Sequence, residues 1–324
     1  MFSPDAILPE ALCLQVLSVA ARYGNPTLAT QVFDAIANLK IPFREHHFYP
    51  LIEAYTRAKE LRNAFIVIGL MRESCPTPPR YYQLDLLIHL IAQSGQTVDR
   101  AYFILQDMVT KEGKKIDTEA VNVLLAACIR LRDVSRAVTT YRDVSTLNVK
   151  PNIDTFNILL DAARLVGHKE LCMQILSDLK AQNLTPNAKT YEMIIATFLS
   201  IPTEEYEPAF IYLEEMKAAG FIPKWGTYKR FVTKCVYHRD ERAAKILEEM
   251  HNFGLATGKL RRQIANDKPR VTYSQREGRF QRRMATVWSS EAETQREVEN
   301  YLEHQEAAEE EDGQESFVKA DGHQ

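Results

Sequence analysis

Side chains able to do chemistry are plentiful in this chain, but they are scattered. Of eight histidines only His46 and His47 are neighbours. No cysteine or carboxylate joins them at the spacing a metal centre uses, and a helix start in a turn accounts for the pair. The five cysteines (Cys13, Cys75, Cys128, Cys172, Cys235) lie far apart with no CxxC pair. An odd, unclustered set argues against a disulfide framework and against zinc, and fits a reducing compartment. The chain has no GxxxxGK[ST], no strand-borne GxGxxG, no HExxH and no GxSxG, so the common phosphate-cradling, metal-hydrolytic and nucleophilic templates are missing. The reading is of a non-enzyme with no cofactor, no metal and no small-molecule substrate.

Charge is the remaining chemical resource, and it is unevenly placed. Of 40 basic and 43 acidic residues, 11 and 14 fall in 259–324, which leaves 29 of each sign before that point. Residues 259–283 hold nine basic residues, among them Arg261, Arg262, Arg282 and Arg283, with Tyr273 and Phe280 interleaved. Cations beside aromatic rings suit the backbone and bases of a single strand, and equally suit a linker that pairs with acidic chain. Residues 291–315 then hold eleven acidic residues against Arg296, the composition of a solvated, disordered tail. Four segments follow: a short lead 1–9, an array 10–258, a basic segment 259–288 and an acidic, largely disordered tail 289–324.

The array is built from one kind of element. Apolar residues make up 45% of the chain, with only 12 glycines and 14 prolines, and few runs alternate with period two. In 153–187, Phe156, Leu159, Leu160 and Ala163 share one helical face, and Leu171, Cys172, Ile175, Leu176 and Leu179 share another. Val166-Gly167-His168 turns the chain between them, Asn183 and Pro186 stop the second helix, and Asn187 can cap the next. Such a pair cannot bury both faces alone. Copies of it run through 10–44, 45–79, 81–117, 118–152, 153–187, 188–224 and 225–258. A small residue recurs at the twentieth place, give or take one in the third and seventh copies (Ala29, Ala64, Ala101, Ala137, Ala243). A large apolar one follows seven later (Ile36, Met71, Met108, Val144, Met250). These features predict an all-α solenoid of about seven helix-turn-helix repeats. Only nine residues precede the first copy, so Leu12, Val16 and Leu17 are expected to meet a partner or further chain. No run is apolar enough to span a membrane.

Thr155-Phe156-Asn157-Ile158-Leu159-Leu160, Ala188-Lys189-Thr190-Tyr191 and Gly226-Thr227-Tyr228 resemble the pentatricopeptide repeat. So do the copy ends Lys150-Pro151-Asn152 and Leu184-Thr185-Pro186-Asn187. The tetratricopeptide repeat has a Trp/Leu/Gly/Tyr first helix that this chain lacks. The resemblance implies a right-handed superhelix and an organellar, mitochondrial RNA-binding protein. It further implies that the fifth and last residues of each copy select one base of single-stranded RNA. Those pairs are Asn122 with Asn152, Asn157 with Asn187, Asp85 with Asp117, and Glu192 with Lys224. Leu14 with Arg44 and Tyr49 with Pro79 match no readable combination. Asp117, Asn152 and Asn187 serve equally well as helix N-caps, worth about 1 kcal/mol each. Asn122 and Asn157 lie inside helices, where Asn is a mediocre choice unless its amide has a task.

At the second place of their copies, Glu119 and Asp154 are expected to face the strand and repel phosphate. Two functions result. One is RNA binding in transcript processing, stability or translation. The other is a protein or ribonucleoprotein scaffold, for example on a ribosome, favoured by the neutral array.

Overall fold

The computed structural model describes residues 10–76, 79–200, 206–255 and 258. They form fourteen α-helices and two single 3-10 turns. The helices come in pairs: α1 (Glu10–Tyr23) and α2 (Pro26–Asn38), α3 (Glu45–Arg57) and α4 (Leu61–Ser74), α5 (Asp85–Ile91) and α6 (Gly95–Thr110). Next come α7 (Thr118–Leu131) with α8 (Val134–Arg142), and α9 (Ile153–Val166) with α10 (Lys169–Ala181). The last pairs are α11 (Ala188–Ser200) with α12 (Glu207–Ala218) and α13 (Trp225–Tyr237) with α14 (Arg242–Asn252). The chain divides into two compact units, 1–158 and 159–324, with the boundary inside α9.

Within the first unit, the first helix of each pair packs on the next: α1 on α3, α3 on α5, α5 on α7. The second helices form a second layer, with α4 against α6. The small recurring residues sit where the layers meet. Ala29, Ala64, Ala101 and Ala137 are fully buried, and Ile36, Met71, Met108 and Val144 fill the space beside them. In the second unit α11 packs on α10, α12 and α13, and α13 on α14, with Leu179, Met216, Phe231 and Met250 buried between helices.

Helix ends are set by residues in the left-handed region, which close the last turn and satisfy its free carbonyls. Gly24, Gly113, Gly167, Gly220 and Gly254 do this, as do Lys40, Lys59, Arg132, Asn148, Asn183 and Arg239. Gly24 is the most constrained. Its φ is 62°, and a Cβ there would lie 2.8 Å from the Cβ of Arg57 in the next pair.

The third copy opens with a 3-10 turn over Tyr81–Gln83, entered from Arg80 in extended conformation, and α5 starts at Asp85. One expectation needs correction. Leu17 does not wait for a partner; it is buried against α1's own neighbours, while Leu12, Val19 and Tyr23 line the exposed side of α1. The basic segment and the acidic tail lie outside the described residues.

Candidate nucleic-acid interface

In the first unit the starts of α7 and α9, the 3-10 turn at Tyr81 and the last turn of α4 form one connected polar network. Asp117 caps α7, its Oδ1 accepting from the Glu119 amide at 2.9 Å. Arg72, in the last turn of α4, donates Nη2 to the same oxygen at 3.1 Å; this carboxylate raises the guanidinium pKa further. Glu119 is 1% exposed. It accepts from the Tyr81 amide at 2.9 Å and from Asn152 Nδ2 at 2.9 Å. Burial pushes its carboxyl above the ordinary value; the bonds from Asn152, Tyr81 and Asn122 pull the other way, and the charge of Asp154 adds to the rise.

Asn152 is the hub. Its Oδ1 accepts from the Thr155 amide at 3.0 Å, and its own amide donates to Thr155 Oγ1 at 3.1 Å, a reciprocal cap on α9. Asn122, wholly buried, donates Nδ2 to Asn152 Oδ1 at 3.2 Å and accepts from Thr155 Oγ1 at 2.7 Å. Arg80 Nη1 adds a longer tie to Asp154 Oδ2 at 3.4 Å. Glu119 and Asp154 therefore do not face a strand. Both are buried and paired within the protein, since an unpaired buried carboxylate would be prohibitive.

The remaining expected residues are dispersed. Asn157 is fully buried on α9. Asn187 caps α11 in the second unit by the same reciprocal arrangement with Thr190, at 3.0 and 3.1 Å. Asp85 is 71% exposed at its side chain and pairs with Arg130 at 2.9 Å. Lys224 and Glu192 meet at 3.0 Å. Arg261, Arg262, Arg282 and Arg283 fall outside the described residues. Two of the paired positions, Asn122 with Asn152 and Glu192 with Lys224, are thus in direct side-chain contact. Glu119, which joins the network through the Tyr81 amide, gave no signal of that role, and Thr155 gave one. The recurring Thr three places after a cap (Thr155, Thr190) was the clue available.

The histidine pair gains a carboxylate from the preceding copy. Glu10 Oε1 lies 3.4 Å from His46 Nε2 and 3.3 Å from His47 Nε2. His47 is buried, and its Nδ1 accepts from the Arg44 amide at 3.1 Å. With that lone pair engaged, neutral His47 carries its hydrogen on Nε2, which lies near Glu10 without hydrogen-bond geometry, whereas a metal ligand at Nε2 needs that nitrogen bare and Nδ1 donating. Burial first, and the neighbouring His46, hold its pKa down. This cluster fixes α3 to α1.

Paired helices, capped alike and stacked with first helix on first helix, define a helical-repeat protein. A family model described as "Pentatricopeptide repeat-containing protein" matches residues 10–144, and a second, "Pentatricopeptide repeat domain", matches 141–199. The chain belongs to the pentatricopeptide repeat family. It is 26% identical over 192 residues to a mitochondrial pentatricopeptide repeat-containing protein of Arabidopsis thaliana, covering 59% of this chain and 30% of that one. It is 24% identical over 121 residues to the small ribosomal subunit protein mS39 of Bos taurus, covering 36% of this chain and 18% of that protein. The chain thus spans under a third of either relative. Chloroplastic members of the family in Arabidopsis thaliana also match. Among solved structures, the pentatricopeptide repeat protein PPR10 in complex with an 18-nt psaJ RNA element aligns at TM-score 0.37 and 18% identity, over 78% of this chain and 41% of that one. No helix among the described residues is long and apolar enough to cross a membrane.

Proposed function

We propose that this chain is a non-catalytic, organellar RNA-binding protein that engages single-stranded RNA in transcript processing, stability or translation. Its family membership carries the reading: successive paired helices give a strand one docking place per copy. A mitochondrial setting goes with it, favoured by the Arabidopsis relative and by mS39. Asn122, Asn152, Asn157 and Asn187, with Asp85 and Asp117, enter as base-selecting residues under one condition. The Asn122–Asn152 bond must open and be replaced by a bond to the base. Arg261, Arg262, Arg282 and Arg283 supply phosphate contacts. The test is a mobility shift of the full chain with single-stranded RNA at low salt, beside a variant with Asn122 and Asn157 both changed to Ala. Binding that weakens steeply with salt supports the reading, and no retarded RNA ends it.

The second reading is a scaffold within a ribonucleoprotein such as a ribosomal subunit. The closed Asn122–Asn152–Glu119 network favours it, because an array that keeps its selecting amides for itself holds its shape without RNA. A protein partner that stays bound after nuclease treatment supports this alternative. A partner-free chain that binds RNA by itself removes it.

A further inference from the structure

The first unit holds a cleft of about 430 Å³ lined by Arg44, Glu45, His46, Tyr49, Pro76 and Gln83. It lies where the first three copies meet, at positions that gave no readable pair in the sequence. Its volume is at the small end of ligand sites, the scale of one nucleotide rather than a folded partner. Its chemistry differs from that of the closed network. Arg44 is exposed and makes no ion pair among the described residues. The Tyr49 hydroxyl donates to Gln83 Oε1, which leaves the Gln83 Nε2 amide as a donor. Burial pushes the Tyr49 phenol up to about 12, so the ring stays uncharged at neutral pH. His46 is exposed beside it, and Tyr82 on the neighbouring turn is 58% exposed.

We infer that this cleft takes one nucleotide of single-stranded RNA, with its phosphate on Arg44, its base against the Tyr49 ring and its base edge between Gln83 and Glu45. This rests on the RNA-binding reading and names where it acts. A guanidinium is the natural partner of a phosphate oxygen, and an aromatic face accepts any base. Glu45 is the one acidic group lining the cleft, and it offers only acceptors. It therefore favours a base with an exocyclic amino group over uracil. Uncommitted donors, an acceptor and a ring converge here, whereas the amides of Asn122 and Asn152 are already bonded to each other.

The experiment is fluorescence anisotropy of the full chain with labelled single-stranded oligo(C) and oligo(U) at low salt, repeated across a salt series. The wild type is expected to prefer oligo(C). Arg44→Ala, a change at an exposed side chain, is expected to weaken binding to both by about tenfold and to reduce the salt slope by about one. Tyr49→Leu weakens both strands, by about tenfold from the lost stacking, while Tyr49→Phe retains most of the affinity. Glu45→Gln removes the preference for oligo(C). If the wild type binds RNA and Arg44→Ala and Tyr49→Leu bind it within about twofold of the wild type, the cleft is not the site and the RNA reading stands. If the wild type binds neither strand, the RNA reading falls and the cleft assignment falls with it.

Discussion

The side-chain amide of Asn122 donates to Oδ1 of Asn152 at 3.2 Å, and that same Asn152 donates to Glu119 at 2.9 Å. Three residues that the family resemblance set out as two selectors and one obstacle are one bonded unit, closed by Thr155 and the Tyr81 amide.

Asn152→Ala removes a helix cap and strands two buried partners together. A lost cap costs about 1 kcal/mol, and leaving buried polar groups such as Asn122 and Glu119 unpaired costs about 1–3 kcal/mol more. The expected loss is about 2–4 kcal/mol, read from the urea midpoint of the full chain at unchanged slope. A loss under about 0.5 kcal/mol would mean the network is not formed in solution.

Glu119 should make the chain less stable as pH rises. Its folded carboxyl is raised, by burial, above the ordinary value, so the folded state holds this proton more tightly than the unfolded one. The stability it contributes is present below the unfolded pKa and is lost as pH rises through the folded pKa. Carbon-detected NMR should find Glu119 titrating above the exposed glutamates, and titration alongside or below them would contradict its burial.

Gly24→Ala and Gly167→Ala separate backbone strain from crowding. Both glycines have positive φ, 62° and 67°, but only at Gly24 would the new methyl meet a neighbour, Arg57 Cβ at 2.8 Å; at Gly167 nothing lies within 4 Å. Gly167→Ala should cost about 1 kcal/mol from the left-handed backbone alone. Gly24→Ala should cost at least 1 kcal/mol more, of the order of overpacking. Equal melting temperatures for the two variants would place the first turn differently from the structure.

Thiol reactivity should follow burial. The Cys128 and Cys172 thiols are wholly enclosed and pushed up to about 12 by desolvation. Cys75 is only half-buried. A disulfide reagent at mildly alkaline pH should label Cys75 first and reach the other two only as fast as the chain opens. Mass spectrometry showing early labelling of Cys128 would contradict the packing of α7.

The repeat was legible because its causes are local. The recurring Ala and the large apolar residue seven later reappear as buried positions on one helix, Ala64 with Met71 and Ala101 with Met108. Caps at Asp117, Asn152 and Asn187 could be read from residue type and position. The site was less legible, since helical spacing cannot say whether an amide is free or engaged. Asn122 depends on a threonine 33 residues on, and Glu119 on the backbone of Tyr81, 38 residues back.

Arg80, just ahead of the third copy, reaches Asp154 across 74 residues, over the whole of the third and fourth copies. Arrays of this kind can gain or lose units by duplication and deletion, because each unit ordinarily answers only to its neighbours. Here the entry to the third copy is tied to the fifth across the fourth. Excising residues 118–152 would bring Asp154 to the place of Glu119, where a shorter side chain meets the Tyr81 amide. Deletion or duplication of the fourth copy would therefore break this tie, whereas a change made outside residues 80–154 leaves it in place.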